Sequence, residues 1–367
     1  MPQPTQQPGK LHFFDLNEQA LQEALAKWGW PLYRATQLYD WVYRKSVTNP
    51  LEMSTFSRAN RLLLAERMLF DQARVERQQT SADGTVKMLL RWPDGRQAET
   101  VMIPDRDRRT ACISSQVGCP VGCRFCASGL NGVQGNLSPG QITEQVFALN
   151  RFLRPRGEQI SNVVFMGMGE PLANYANVVA AVRLLHGPEQ FNLGVRRITI
   201  STVGVPSRIR DLADEGLAVN LALSLHAPNE TLRRQLIPWA EHFALDEILE
   251  AVGYYFRKTG REVTLEYILL HEVNDQPQHA RELLALCRRL RANVNLIRYN
   301  EVEGLAYQRP ESKDVIRFQE ILRKGGINVH VRRSRGRDID AACGQLRRRQ
   351  QGERSVELGL PARQETR

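Results

Sequence analysis

From residue 110 onward, short β-branched apolar runs alternate with longer segments that have helical apolar spacing. This alternation predicts βαβ units and parallel strands, because each strand needs a crossover before the next strand can pair with it. The predicted strands are TACISSQV, NVVFMG, RITISTVG, LAVNLALSLH, VTLEYILL, NVNLIRYN and INVHVRR. About six such units would form a partial (βα)6 barrel, an α/β fold whose active sites lie at the carboxyl ends of the strands.

The chain divides into five parts by composition. Residues 1–10 are polar and rich in Pro and Gln, which predicts disorder. Residues 11–72 are predicted as a small helical domain, with NEQALQEALAKWG and RATQLYDWVYRK as amphipathic helices. Residues 73–104 are predicted as a β-hairpin region, because VKMLLRW and AETVMIP flank the turn sequence PDG. The barrel takes residues 105–346, and residues 347–367, which begin with RRRQQ, are predicted as a loose basic tail.

The net charge and the lengths of the apolar runs indicate which partners and which cell compartment to expect. The 367 residues include 50 Lys and Arg against 40 Asp and Glu, for a net charge of +10. This favours a polyanionic partner such as RNA, although an unspecialised basic surface would give the same count. No apolar run approaches the roughly 20 residues of a membrane span, and MPQPTQQPGK lacks a signal sequence. We therefore expect a cytoplasmic protein with no membrane partner, whose crowded cysteines bind metal or carry redox chemistry.

Four of the six cysteines lie in the stretch CISSQVGCPVGCRFCASG. Cys119, Cys123 and Cys126 have the spacing C-x3-C-x2-C. Structural zinc sites usually combine two C-x2-C pairs, whereas three thiolates alone can hold three irons of a four-iron cluster and leave the fourth iron open. The alternative is a zinc ion with Cys112 as its fourth ligand. Cys287, inside ELLALCRRL, is predicted as a small buried apolar residue.

Glycine and polar residues follow the next three predicted strands. VVFMGMGEPLAN contains Gly169, which lets the backbone approach a ligand, and Glu170, whose carboxylate can accept from an ammonium group. A plain strand-to-helix turn would explain the glycines but not the whole string. Ser201 ends the third strand in ISTVG, and Ser224 and His226 end the fourth in LSLHA. A lone histidine there is more often packed than catalytic, so we assign His226 to hydrogen bonding rather than to proton transfer.

These motifs together resemble a known family. The cysteine spacing after the first barrel strand resembles the radical S-adenosylmethionine (SAM) superfamily, and GMGEP resembles its motif for the SAM amino group. CISSQVGC and the C-terminal DIDAACGQL, which contains Cys343, narrow the resemblance to the RlmN group of radical SAM RNA methyltransferases, whose relative is Cfr. The resemblance runs from about residue 12 to residue 347 and includes YRATQLYDWVY and SADGTVK.

The resemblance implies a [4Fe-4S] cluster and two SAM molecules per turnover. One SAM methylates Cys343, and the second yields a 5′-deoxyadenosyl radical that takes hydrogen from the new methyl group. The carbon radical adds to adenine, Glu99 accepts the ring proton, and Cys112 attacks the Cys343 sulfur to release the product. Without the resemblance, Glu99 in QAETVMIP would be taken as an exposed strand carboxylate. The implied cluster ligands are Cys119, Cys123 and Cys126, and the implied SAM-binding residues are Gly169, Glu170, Ser201, Ser224, Leu225, His226 and Asn300.

The implied function is formation of 2-methyladenosine in 23S rRNA, at the peptidyl-transferase centre, and in tRNA, at the adenosine 3′ of the anticodon. Residues 11–72 would then be an RNA-binding accessory domain, a one-electron reductant such as flavodoxin would supply electrons, and we expect a monomer. C8 methylation of rRNA, as in Cfr, or another RNA target stays open, because no single residue separates C2 from C8. A non-enzymatic metal-cluster RNA-binding protein is the alternative from another class, although it would not need Cys343, Glu99 and the SAM-binding series together.

Three residues depart from the family pattern. Arg298 and Glu301 stand where the family usually has prolines, and Arg337 replaces a usual acidic residue. These positions flank the implied site without removing a reactive group, so they bear on RNA choice and loop geometry rather than on the type of reaction.

The net charge of +10 leads to a first prediction. RNA affinity should fall steeply as salt is raised, because phosphate contacts release condensed counterions from the RNA. Filter binding of RNA across a range of KCl concentrations measures the slope of log Kd against log salt. A flat response would contradict extensive phosphate contact.

Overall fold

The computed structural model describes residues 9–346 of the chain. Residues 1–8 of the segment predicted to be disordered lie outside the described residues, and so does the predicted basic tail, residues 347–367. The strands of the described part are β1 Leu11–His12, β2 Met68–Leu69, β3 Arg74–Thr80, β4 Val86–Arg91, β5 Gln97–Asp105, β6 Arg108–Cys112, β7 Gln116–Gly118, β8 Val133–Asn136, β9 Asn162–Phe165, β10 Ile198–Thr202, β11 Asn220–Ser224, β12 Val263–Leu269, β13 Ala292–Arg298 and β14 Val329–Arg332. The helices are α1 Glu18–Lys27, α2 Tyr33–Tyr39, α3 Arg58–Arg67, α4 Pro139–Leu153, α5 Tyr175–His186, α6 Pro206–Asp214, α7 Glu230–Leu236, α8 Leu245–Thr259, α9 Pro277–Cys287 and α10 Ser312–Lys324. None of the described helices is both long and apolar enough to cross a membrane.

The central element is a sheet of 10 strands in the order β14-β13-β12-β11-β10-β9-β6-β5-β4-β3. Strands β6 and β9 to β14 run parallel to one another, and helices connect successive strands. The predicted α/β fold is therefore confirmed, with six strand–helix units followed by the further parallel strand β14. Because β14 and β3 are both edge strands, the barrel is partial rather than closed.

Three antiparallel strands continue the barrel sheet beyond β6. The predicted hairpin is present as β4 and β5, and the amide of Gly95 in its turn donates to the Trp92 carbonyl at 2.9 Å. Since β5 also pairs with β6, this region belongs to the barrel sheet. The sequence analysis gave no strand for β3, RVERQQT, because its side chains are polar and lack apolar alternation.

The N-terminal helical domain packs directly on the barrel. The predicted helices are present as α1, whose first turn is capped by the side chain of Asn17, and as α2, which continues into a π-helical turn at Asp40–Arg44. The buried core of this domain contains Phe13 and Phe14, and it also includes Phe147 from barrel helix α4. The ring centroids of Phe14 and Phe147 are 4.9 Å apart. A shared apolar core thus fixes the domain on the barrel.

Glu144 of α4 lies at the centre of a buried polar network beside this core. Its fully buried carboxylate accepts from the Trp92 indole at 2.6 Å, and its Oε1 lies 3.0 Å from Nε2 of His12. The other ring nitrogen of His12 lies 3.2 Å from Asp15. Burial alone would lower the pKa of His12, but the hydrogen bonds and charges of Asp15 and Glu144 outweigh it and raise this pKa to about 10. A protonated His12 therefore joins the N-terminal domain to the barrel.

This network predicts a pH-dependent contribution to stability. The pKa of His12 is raised above its usual value of 6.5, so the contribution is fully present below pH 6.5 and is lost as the pH rises toward about 10. Glu144→Gln should cost about 1.5–3 kcal/mol at pH 6, because it removes the buried one of the two carboxylates that contact protonated His12 and leaves only Asp15. Denaturant unfolding gives the free energy of unfolding of wild type, Glu144→Gln and His12→Gln. The difference in this free energy between wild type and His12→Gln should shrink between pH 6 and pH 10.

The matched control for this experiment is His242→Gln, which removes an exposed histidine. A difference between wild type and His12→Gln that stays constant over this pH range would contradict a charged His12.

Candidate active site

The carboxyl ends of the parallel strands surround one cavity. Strands β9 to β13 and the loops after them contribute its walls, as the barrel fold predicts. Among its lining residues are the predicted Cys119, Cys123, Cys126, Gly169, Glu170, Ser201, Ser224, His226 and Cys343. The fold therefore brings most of the predicted site residues to one place.

The three clustered cysteines lie in the loop that joins β7 and β8. Gly118 has φ +75°, and a side chain there would collide with the backbone of Gly132, so the loop requires glycine at its start. Burial raises the pKa of the Cys123 thiol, and repulsion from Cys126 and Cys119 raises it further. Three neighbouring half-buried thiols that disfavour one another's charge suit a polynuclear metal centre, which would neutralise the thiolates.

Arg233 of α7 lies beneath this loop, and the sequence analysis did not identify it. Its side chain is 1% exposed, and Nη2 donates to the carbonyl of Val203 at 2.5 Å. Nε and Nη1 are buried and have no hydrogen-bond partner among the described residues. The positive charge of Arg233 lowers the pKa of Cys123. A buried guanidinium with free donors beside three thiols fits an anionic iron–sulfur cluster.

Glu170 follows β9 and is fully engaged with the backbone of its own loops. Oε1 accepts from the amide of Leu172 at 2.9 Å, and Oε2 accepts from the amide of Val203 at 2.8 Å. Burial raises the pKa of Glu170 to about 7, although these hydrogen bonds oppose the rise. Gly169 has φ +102°, and a Cβ there would come within 2.7 Å of Gln116. The Thr202 hydroxyl also bonds this carboxylate, so the motif is a rigid turn in which one of the four acceptor positions of Glu170 is left for a ligand.

Ser201, Ser224 and His226 line the neighbouring wall. The two hydroxyl oxygens are 3.1 Å apart across β10 and β11. Nδ1 of His226 accepts from the amide of Ile268 at 3.1 Å, and its ring stands edge-on to Phe125 with centroids 5.0 Å apart. Burial, assisted by the charge of Arg233, lowers the pKa of His226 to about 3. An uncharged His226 agrees with the predicted role in hydrogen bonding.

Leu225 differs from the other predicted SAM-binding residues. Its side chain is fully buried in the barrel core, and its amide donates to the carbonyl of Glu266 at 3.0 Å. Any contact with a ligand at this position therefore has to come from the backbone.

Cys112 and Cys343 line a second cavity of about 750 Å³. Burial raises the pKa of the Cys112 thiol to about 12, the nearby Cys343 raises it further, and Arg332 lowers it. Cys343 also raises the pKa of Cys126, so it lies between Cys112 and the cluster loop. Cys112 itself packs in a separate apolar cluster with Val101, which argues against Cys112 as a fourth zinc ligand.

Arg332 and Glu266 are two further charged residues of the site that the sequence analysis did not identify. The charge of Cys343 is the main reason why the pKa of Arg332 is raised, and Glu266 and Cys112 act in the same direction. Glu266 is buried in β12, and Asn295 donates to both of its oxygens, at 3.2 and 3.0 Å. A lone carboxylate inside the apolar strand VTLEYILL was the available sequence signal for Glu266. Arg332 had none, because it is one of several arginines at the end of β14 and just after it.

Asn300 holds the segment that carries Cys343. Its Nδ2 donates to the carbonyl of Cys343 at 3.2 Å, and its Oδ1 accepts from Arg309 at 3.2 Å. Asn300 is 1% exposed and lines the cavity of Cys112 and Cys343. Cys287, in contrast, lies in the barrel core, as predicted.

Glu99 lies on β5 in an adjoining cavity. It is buried, and its Oε1 is 3.3 Å from Nζ of Lys87, so the interpretation as an exposed carboxylate is wrong. It shares the strand face of Val101, whose pairing partner in β6 is Cys112. Glu301 lines the same adjoining cavity. The role of Glu99 as proton acceptor stays a prediction.

The two arginines that depart from the family pattern have different surroundings. Arg298 donates to the hydroxyl of Ser312 at 3.2 Å, which ties the end of β13 to α10. Arg337 is exposed in the segment after β14. Both lie beside the site rather than inside its cavities, whereas Glu301 faces the cavity of Glu99.

Comparison with known proteins gives a consistent result. Residues 113–284 match the family model of the radical SAM superfamily, and residues 11–69 match the ribosomal RNA large subunit methyltransferase N-terminal domain. Proteins named probable dual-specificity RNA methyltransferase RlmN are similar over most of the chain. The one from Dictyoglomus turgidum is 45% identical over 91% of this chain and 95% of its own length. The one from Thermotoga maritima is 45% identical over 92% and 97%.

A solved structure agrees in fold. A radical SAM methyltransferase from Sphaerobacter thermophilus superimposes with a TM-score of 0.89, at 43% identity, over 92% of this chain and 99% of its own.

The position of Arg233 leads to a prediction for the metal centre. Arg233→Met should lower the reduction potential of an iron–sulfur cluster, because loss of a buried positive charge destabilises the more negative reduced form. Arg233→Lys should lower it less. Redox titration followed by electron paramagnetic resonance (EPR), with iron and sulfide analysis of each variant, provides the measurement.

The matched control is Arg234→Met, because Arg234 is the next residue on α7, is exposed and pairs with Glu230 at the surface. If the Arg233 and Arg234 variants had the same potential and the same iron content, Arg233 would have no electrostatic role at the cluster.

Proposed function

Because the chain belongs to the RlmN family of radical SAM RNA methyltransferases, we propose that it forms 2-methyladenosine in 23S rRNA and in tRNA. The observation that carries the proposal is the shared cavity of Cys112 and Cys343 next to the three-cysteine loop. Two thiols from distant parts of the chain suit a reaction in which one sulfur carries the methyl group and the other releases the product.

The cofactors of the family fit the residues at hand. Cys119, Cys123 and Cys126 would hold a [4Fe-4S] cluster, above the positive charge of Arg233. When bound, the cluster and SAM supply the electron and the organic radical that activate a methyl group. The remaining acceptor position of Glu170 suits the SAM ammonium group, and the paired hydroxyls of Ser201 and Ser224 suit its sugar or carboxylate.

The remaining SAM contacts come from three further positions. Neutral His226 keeps its second ring nitrogen for a ligand, because its Nδ1 is already occupied by the amide of Ile268. Leu225 would contribute backbone groups, and Asn300 would act through the segment that it holds. Two SAM molecules are needed per turnover, one to methylate Cys343 and one to activate that methyl group.

Cys343 and Cys112 have unequal roles in this proposal. Cys343 accepts a methyl group on sulfur, and Arg332 lies near it in the same cavity. After the methyl carbon is joined to adenine, Cys112 attacks the Cys343 sulfur. As the new sulfur–sulfur bond forms, the carbon–sulfur bond breaks, and its electron pair passes to the carbon, which takes up a proton and becomes the methyl group. An external two-electron reductant then restores both thiols. The burial of Cys112 keeps its thiol protonated at rest, since its pKa is raised to about 12.

Glu99 is proposed to accept the proton that adenine loses. Its support is its place on the strand face of Val101 and its burial next to Lys87. A carboxylate is the kind of group that can accept a proton from carbon once the substrate is positioned beside it. RNA as the substrate is also consistent with the net charge of +10. We also propose that a one-electron donor such as flavodoxin reduces the cluster. The protein is proposed to act as a monomer.

The two thiols give a prediction with opposite outcomes. Cys343→Ala should abolish methyl transfer at its first step, so that neither methylated protein nor an RNA adduct forms. Cys112→Ala should still attack RNA but should stall with RNA covalently joined through Cys343. A denaturing gel of each variant after expression, with and without ribonuclease, detects the adduct. Mass spectrometry of the RNA nucleosides distinguishes 2-methyladenosine from 8-methyladenosine.

Cys287→Ala is the matched control, because Cys287 is a buried cysteine of the barrel core that lines neither cavity. It should lose little stability and no activity. Full methylation by Cys343→Ala would overturn the mechanism, and an inactive Cys112→Ala without any ribonuclease-sensitive adduct would remove the resolving role of Cys112.

A further inference from the structure

A second group of metal-binding side chains lies outside the cysteine loop. His271 and Asp275 lie in the turn that follows β12, and Asp314 lies in the first turn of α10. One ligand atom from each residue lies within 4.8 Å of the other two. The fold brings these residues together, because α9 and β13 separate Asp314 from the turn in sequence.

Two polar atoms of this group are buried without a partner. The side chain of Asp275 is 0% exposed, and although Oδ1 accepts from Gln276 at 3.1 Å, Oδ2 has no hydrogen-bond partner within residues 9–346. Nδ1 of His271 is likewise buried and unpartnered in that range. The two atoms are 3.8 Å apart, which is too long for a hydrogen bond. Covered atoms of this kind normally have partners, because an unpaired buried carboxylate oxygen is costly.

We propose that His271, Asp275 and Asp314 bind a divalent cation. Nitrogen and carboxylate oxygen bind such ions at about 2.0–2.2 Å, so donors of one ion lie about 3–4 Å apart, and small side-chain rotations would bring the three ligands into this range. An imidazole with two carboxylates suits Mn²⁺ or Zn²⁺, and solvent would complete the coordination. The ion would give Oδ2 of Asp275 and Nδ1 of His271 the partner that each of them lacks.

The surrounding charges favour a cation at this position. The carboxylate of Glu272 lies 3.9 Å from Nε2 of His271, so it faces the ring nitrogen opposite the proposed ion. At this distance Glu272 forms no hydrogen bond with the ring, and it adds negative charge that favours a cation next to His271. Glu311, immediately before α10, also acts on His271, whereas the nearby Lys313 is paired with Glu311 at 2.7 Å. His271 is part exposed, which gives an ion access from solvent.

The site would stabilise the rim of the active cavity rather than take part in the reaction. Asn274, next to Asp275, is fully buried, and its Nδ2 donates to the carbonyls of His226 at 2.9 Å and Ile268 at 2.7 Å. His226 lines the cavity of the three cysteines. An ion that joins Asp275 to Asp314 would therefore fasten the turn that holds His226 in place. This inference is independent of the RNA substrate.

The test is a titration of the holoenzyme with Mn²⁺. Anaerobically prepared protein, with its iron–sulfur cluster in place, is titrated at room temperature, where EPR reports free Mn²⁺. One bound ion per chain is expected, together with a rise in Tm on adding Mn²⁺. Asp275→Asn, which keeps the size of the side chain, and Asp314→Asn, near the surface of α10, should each lose the bound ion and the rise in Tm.

The control is Asp246→Asn, which removes an exposed carboxylate of α8. This variant should bind Mn²⁺ as tightly as the wild type. Circular dichroism and iron content check that each variant is folded and loaded. Absence of stoichiometric Mn²⁺ binding by the wild type would overturn the proposal, as would binding that survives in the folded Asp314→Asn variant.

Discussion

The geometry of the site depends on a few hydrogen bonds that hold the C-terminal segment across the barrel mouth. After β14 the chain turns back over the cavity, and Asp338 accepts from the hydroxyl of Ser81 at 2.6 Å, in the turn between β3 and β4. At its other end, the carbonyl of Gly344 accepts from Ala127 at 2.8 Å, next to the cluster cysteines. Cys343 lies between these two anchors. Its position relative to Cys112 and to the cluster loop is therefore set by the antiparallel extension as much as by the barrel itself.

The electrostatics of the site follow from burial. Arg233 is a buried cation whose charge acts on Cys123, and the half-buried Arg332 interacts with Cys343 and Cys112. In a low-dielectric interior, a fixed positive charge stabilises thiolates and anionic clusters more strongly than it would in water. The same burial leaves Nε and Nη1 of Arg233 without partners in the described chain, a cost that bound anionic sulfur would offset.

The N-terminal domain is joined to this site by packing and charge rather than by a flexible connection. Phe147 and Glu144 lie on α4, the helix that follows the cluster loop, and both contact the N-terminal domain. Glu144 also binds Trp92 at the end of β4, so the same helix contacts the antiparallel extension. The N-terminal domain, the antiparallel extension and the barrel are thus joined through one helix.

The sequence by itself determined the order of strands and helices, the parallel sheet and the loop of Cys119, Cys123 and Cys126. These features depend on apolar period and on spacing, which are local properties of the chain. Resemblance to a family added Cys343, Glu99 and the SAM-binding series. Only the tertiary structure decided that Cys112 and Cys343 share a cavity, that Glu99 is buried in an ion pair, and that Arg233 and Arg332 face the sulfur atoms. The polar strand β3 was missed as well, because it is held in the sheet by its backbone pairing with β4 and its side chains show no apolar alternation. The burial and the charge of a site depend on which distant segments of the chain come into contact, and the local periodicity of the sequence does not predict those contacts.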